Sequence, residues 1–155
     1  MSTGKPCVLV INGPNINLLG TREPDVYGVM TLADLNQRLT KQAAELGVEV
    51  DFLQTNHEGV MVDSIQQSVG KYACIIINPA AFSHYSIAVR DALAAVAVPA
   101  VEVHMSNIHA REEFRRHSVV SPVVQGQIVG FGADSYFLAL QYAAKLVVKE
   151  EKPVE

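Results

Sequence analysis

The chain has 155 residues, the length of one ordinary domain and too short for two. Apolar residues make up 49% and charged ones only 18%, which argues for a sizeable core, against wholesale disorder, and for some surface buried in an oligomer. Twelve basic against sixteen acidic side chains give a net charge of −4, which argues against a chain-wide nucleic-acid or anionic-membrane binder but leaves room for a local basic site.

Short β-branched runs alternate with helical patterns along the whole chain. Cys7-Val8-Leu9-Val10-Ile11 is apolar throughout, as in a strand covered on both faces. Thr31 reads as an N-cap, Leu32, Leu35, Leu39, Ala43 and Leu46 share one helix face, and Gly47 is the stop. A strand is predicted over Val48 to Leu53, a helix over Val60 to Val69, and a strand over Ala73 to Ile77. Next come a helix over Ser86 to Val96, a strand over Ala100 to Val103, and a short charged helix from Ala110. A fifth strand over Ile128 to Phe131 and a helix from Asp134 to about Val148 complete the pattern.

This is (βα)5 without repeats or linkers. It predicts a single domain over 1–155 with its core over about 7–148 and a frayed charged tail, 149–155. The fold class is α/β, a flavodoxin-like three-layer fold with a five-stranded parallel sheet and helices on both faces. Cys7 and Cys74 lie inside apolar runs and read as buried strand thiols rather than a disulfide. No apolar stretch approaches the ~20 residues needed to span a bilayer, and the N-terminal run is shorter than a signal-peptide core of ~7–15. The expected compartment is reducing and cytoplasmic.

In such sheets a ligand sits beyond the carboxyl ends of the strands, so the residues that follow each strand carry the functional information. They are the long run Asn12 to Gly28, then Gln54 to Gly59, Asn78 to His84, and His104 to Asn107. The first loop lacks both phosphate-cradling glycine patterns, GxxxxGK[ST] and GxGxxG. A receiver domain would need acids where Asn12 and Asn78 stand. His57-Glu58 starts like a zincin helix, but Met61 occupies the second histidine position. His57, His84 and His104 come from three strand ends without paired spacing or a thiolate, a poor zinc pattern.

Gly20 and Gly28 bracket a segment carrying Arg22 and Tyr27, which suggests a hinged lid. A phenol with pKa near 10 is only ~0.1% ionised at pH 7, a penalty of roughly 4 kcal/mol for use as a base. An adjacent cation removes much of that penalty, and Arg22 lies five residues from Tyr27. His104 at the next rim position suits a general acid. His84 opens a helix on which Asp91 lies two turns along the same face; either is a substrate contact or else a cap and a surface charge. In Ala110 to His117 acids come first and bases last, which suits the helix dipole, while Arg111 and Arg115 share a face from which one could reach an anion.

The stretches NGPNINLLGTREPDVYG, NPAAFSHYSIAVRDAL and VEVHMSNIHAREEFRRHS, in that order, closely resemble type II 3-dehydroquinate dehydratases, and the similarity runs from about residue 7 to residue 148. Two departures are Ala80, where many members have glycine, and Met105, where isoleucine or leucine is usual. The resemblance implies reversible dehydration of 3-dehydroquinate to 3-dehydroshikimate by anti elimination through an enolate, with no cofactor, metal or lysine Schiff base. It implies Tyr27 as the base, Arg22 as support for its phenolate, Asn15 as holder of an enolate-stabilising water, and His104 as the acid, oriented by Glu102. Asn78, His84, Met105, Ser106 and Arg115 would bind the substrate, and Asp91 would reach in from a neighbouring subunit of a homododecamer, a tetramer of trimers. A shikimate-pathway role in aromatic amino acid biosynthesis and a role in quinate metabolism both remain open, since the reaction is the same. The alternative is a non-catalytic, flavodoxin-like small-anion-binding module with Arg22 and Arg115 as clamps; a flavin carrier is a further rival.

Overall fold

A computed structural model describes residues 4–21 and 23–148, apart from the side chains of Val26 and Tyr27. Arg22, the Tyr27 side chain and the tail 149–155 therefore lie outside the described residues. Five strands form one parallel sheet: β1 (Cys7–Asn12), β2 (Glu49–Gln54), β3 (Cys74–Asn78), β4 (Ala100–His104) and β5 (Gly126–Val129). Their spatial order is β2-β1-β3-β4-β5, the flavodoxin-like order, so the chain reverses its direction of travel across the sheet between β1 and β3.

Alternation within the apolar strands divides the core into two layers. Val8 and Val10 of β1, with Ile76, Val101 and Val103, pack toward α2 (Leu32–Leu46) and α5 (Asp134–Val147). Leu9 and Ile11, with Ile75 and Ile77, pack toward α3 (Glu58–Gln67) and α4 (Ile87–Ala95). A one-turn helix, α1 (Pro24–Tyr27), interrupts the long first loop. Cys7 and Cys74 are both free; Cys74 is buried and Cys7 half-buried, and burial pushes each thiol pKa up to about 11. Such thiols are poor nucleophiles at neutral pH.

The ends of α2 follow the local chemistry of the sequence. The Thr31 hydroxyl accepts from the Asp34 N–H while the Asp34 carboxylate accepts from the Thr31 N–H, a reciprocal capping box. Gly47 closes the helix in the left-handed region at φ 77°. Three expectations shift. His84 belongs to a separate 3-10 turn, Ala80–His84, and α4 begins only after Ser86, whose hydroxyl accepts from the Val89 N–H. The charged segment forms two 3-10 turns, Ile108–Ala110 and Glu113–Arg116, rather than one α-helix, because Arg111 and Glu112 are both extended. Strand β5 stops at Val129, two residues short of the predicted end, because Gly130 turns to φ 95° and donates its N–H to the His104 carbonyl.

Two small residues set how closely β1 and β3 meet at their carboxyl ends. Gly13 donates its N–H to the Asn78 carbonyl at 2.8 Å, and a Cβ there would lie 2.5 Å from the Pro79 carbonyl oxygen. No larger residue fits without moving the β3 turn. Ala80 occupies the left-handed region at φ 52°, which costs an L-residue with a Cβ about 1–2 kcal/mol. The greater freedom of glycine in the unfolded chain offsets about half of what its introduction relieves. Ala80→Gly is therefore expected to stabilise the protein by roughly 0.5–1 kcal/mol, measured as a higher denaturant midpoint at unchanged slope.

Candidate active site

The carboxyl ends of β1, β3 and β4 open into a cavity of about 180 Å³. The loop after β1 supplies Pro14, Asn15 and Ile16; the β3 turn supplies Asn78, Ala80, Ala81 and His84. The segment after β4 supplies His104, Met105, Ser106, Ile108, Arg111 and Arg115. Among the described residues the ionisable groups on this lining are two arginines and two histidines, so the cavity favours an anion. Its position, outside the strand ends beside the reversal between β1 and β3, is where an open α/β sheet ordinarily binds its ligand.

The chemical centre is a buried pair. Glu102 is wholly inaccessible and its Oε2 lies 2.5 Å from Nε2 of His104, itself only 5% exposed. Both oxygens of Glu102 also accept from the Ser118 hydroxyl at 2.9 Å. The hydroxyl's polarity is fixed, because its oxygen accepts from the backbone N–H groups of Val120 and Ser121, which leaves its hydrogen for Glu102. Burial pushes the Glu102 carboxyl up, but the hydrogen bond and charge of His104, with the Ser118 bond, outweigh this and hold it below the ordinary carboxylate pKa. An ionised Glu102 requires the hydrogen on Nε2 of His104, so Nδ1 is left for a substrate or water. The Ser83 hydroxyl, fully buried, adds a weaker contact to the same Nε2 at 3.3 Å.

His84 sits beside this pair, its ring centroid 6.3 Å from that of His104. Burial, with the nearby His104 and Arg115, holds its pKa below the ordinary value even though its Nδ1 bonds the His117 carbonyl at 2.8 Å. A carbonyl only accepts, so Nδ1 carries the hydrogen and neutral His84 offers Nε2 as an acceptor. Arg115 pairs with Glu112 and stacks on Phe114 at 4.9 Å. Arg111 reaches the Ser106 hydroxyl at 3.4 Å and lies 3.9 Å from Glu23, just before α1.

Of the residues singled out in the sequence, Asn15, Asn78, His84, His104, Met105, Ser106, Arg111 and Arg115 meet at this cavity, and Glu102 lies behind it. Asn15 is held at φ 69° with its N–H on the Asn56 side chain at 3.0 Å. Asp91 is exposed on α4 and is not among the lining residues. The backbone of Tyr27 ends α1; its side chain and Arg22 are outside the described residues. Ser83, Ser118 and Asn56 were not singled out. Ser83 stands in the strand-end run Asn78 to His84 and Asn56 in the run Gln54 to Gly59, while Ser118 has only its place at the end of the stretch VEVHMSNIHAREEFRRHS to mark it.

An open parallel α/β sheet with a histidine–carboxylate pair and arginines at its strand ends describes a small-anion enzyme site. Residues 6–144 match the family described as Dehydroquinase class II. The chain is 58% identical over 137 residues to the 3-dehydroquinate dehydratase of Acaryochloris marina, covering 88% of this chain and 92% of that one. It is 54% identical to that of Bacillus licheniformis, covering 88% and 94%. Among solved structures, the type II dehydroquinase from Propionibacterium acnes superposes with a TM-score of 0.88 at 49% identity, over 91% of this chain and 97% of that one. This chain belongs to the class II dehydroquinase family.

The Ser118 contact yields a test. A hydrogen bond to a charged group contributes about 1.5–3 kcal/mol, so Ser118→Ala is expected to lose stability of that order at pH 7. Glu102 has a lowered folded pKa, so its contribution is present above the unfolded carboxylate value of about 4.3 and is lost as pH falls through the folded one. Removing a donor to the carboxylate raises that folded value, so acid unfolding of Ser118→Ala, followed by circular dichroism, should begin at higher pH than in the parent.

Proposed function

We propose that this protein is a hydro-lyase that reversibly dehydrates 3-dehydroquinate to 3-dehydroshikimate. Membership of the family, whose relatives carry the name 3-dehydroquinate dehydratase, supports the reaction. The observation that carries it at the level of residues is the buried Glu102–His104 pair at the edge of an arginine-lined cavity. A carboxylate buried beside a histidine at the edge of a cavity is a costly arrangement of the kind found at catalytic sites, which favours the enzyme over a binding module.

The elimination runs anti, in two steps. Tyr27, as phenolate beside Arg22, takes the C2 proton, and the electron pair moves onto the C3 carbonyl oxygen to give an enolate. A water held by Asn15 stabilises that oxygen. The pair then returns, the C1–O bond breaks, and His104 donates a proton so that hydroxide leaves as water. Glu102 holds the imidazole in orientation and offsets its charge while it carries that proton. Asn78, His84, Ser106 with the Met105–Ser106 backbone, and Arg115 together bind the carboxylate and hydroxyls of the substrate. The enzyme acts in the cytoplasm as a homododecamer, a tetramer of trimers, in which Asp91 of one subunit completes a neighbour's site. Its reaction serves aromatic amino acid biosynthesis or quinate breakdown.

The product is a conjugated enone, so ultraviolet absorbance after addition of 3-dehydroquinate tests the reaction. A rising enone band supports it, and a flat trace from folded protein contradicts it. The base assignment has its own test. Tyr27→Phe should abolish turnover at every pH. Arg22→Ala should lose about 100-fold in kcat at neutral pH, since a neighbouring cation typically lowers an acid's pKa by ~1–3. That deficit should shrink as pH rises toward the free phenol value near 10, read as kcat against pH for both variants and the parent.

A further inference from the structure

We propose that Tyr136, a core residue of α5, is a positioning residue that, together with the Ala80 N–H, holds the amide of Asn78 in the orientation in which it meets the substrate. The assignment rests on the reading of Asn78 as a substrate contact in the dehydration proposed above. Asn12 and Asn78 are register partners at the carboxyl ends of β1 and β3, and Tyr136 rises between them with its side chain fully buried. Its hydroxyl lies 2.6 Å from Oδ1 of Asn12 and 2.8 Å from Nδ2 of Asn78.

The polarity of this relay follows from one backbone group. The Ala80 N–H can only donate, and it lies 3.1 Å from the Asn78 side chain, so the atom it meets is Oδ1. Nδ2 of Asn78 must then face Tyr136 and donate to it. Having accepted there, the Tyr136 hydroxyl places its own hydrogen on Asn12 Oδ1. Burial pushes the phenol's pKa up, so the hydroxyl keeps that hydrogen. The direction of each bond is thus dictated from Ala80 to Asn12, and the Asn78 amide cannot flip without setting two donors or two acceptors against each other. What remains of Asn78 for the cavity is one N–H and one lone pair on Oδ1, in a fixed arrangement.

A contact equally strong in ground and transition states raises KM when lost and leaves kcat little changed. Tyr136→Phe removes the hydroxyl and keeps the ring. In the full-length protein it is expected to raise KM for 3-dehydroquinate by about tenfold, with kcat within about twofold. The same change made in an Asn78→Ala background should move KM by less than about twofold, while the thermal midpoint falls in both backgrounds. A purely structural tyrosine would lower the midpoint alike but would raise KM by the same factor in both backgrounds, and that result overturns the assignment. So does an unchanged KM in the Tyr136→Phe single variant. If Tyr136→Phe fails to fold, Asn12→Ala removes the acceptor at the end of the relay instead. It should raise KM severalfold in the parent background and not in Asn78→Ala, with the same contrary outcomes. Turnover by the parent is read first: its absence overturns the dehydration reading, and the assignment with it.

Discussion

The structure turns on one unfavourable act, the burial of the Glu102 carboxylate in the middle of β4, where it has no accessible surface. An ionised carboxylate in the interior costs several kcal/mol unless partners replace its hydration. His104 and Ser118 are those partners, and each is held in turn by its surroundings. The segment that carries Ser118 is anchored twice beyond it: Val119 donates its N–H to the Ser83 carbonyl, and its own carbonyl accepts from Arg90 of α4. The His117 carbonyl, one residue before Ser118, sets the tautomer of His84. The carboxylate thus shares a network with both histidines and, through the Ser118 segment, with the β3 turn.

The opposite wall depends on close backbone approach. Gly13 brings the first loop against the β3 turn, and the Thr55 N–H, after β2, donates to the Asn12 carbonyl. Gln54 adds a side-chain bond to the Gly13 carbonyl at 3.2 Å. Three strand ends are thus tied to one another before any ligand arrives, which is the preorganisation an electrostatic site requires. The backbone ties from Gly13 to Asn78 and from Thr55 to Asn12 are 2.8 and 2.9 Å long, whereas Glu23, just before α1, lies 3.9 Å from Arg111.

The sheet is legible in the sequence first through its central strands β1 and β3, which are covered on both faces and read as unbroken apolar runs. The ends of α2 are legible because Thr31, Asp34 and Gly47 act locally. The end of β5 is not, since the strand stops where Gly130 turns to φ 95°, directly after its N–H has bonded the His104 carbonyl of the neighbouring strand. The charged segment misleads for a similar reason: its acid-to-base order suits a helix, yet Arg111 and Arg115 both turn toward the cavity and two 3-10 turns result. Histidines and arginines at strand ends announce themselves by type and position. Ser118 looks like any loop serine until Glu102 is seen to lie against it. Tyr136 looks like one more core residue of an amphipathic helix, because its hydroxyl meets an asparagine 124 positions away.

In the proposed elimination, Glu102 holds His104 as the acid that protonates the leaving hydroxide. Glu102→Gln keeps the shape and a hydrogen-bond acceptor but removes the charge. Its turnover of 3-dehydroquinate, followed by enone absorbance beside the parent, tests the claim most directly. The account predicts a fall in kcat of ~10²-fold or more, with KM within a few fold, in a protein that remains folded. A folded Glu102→Gln protein that keeps the parental kcat would contradict it.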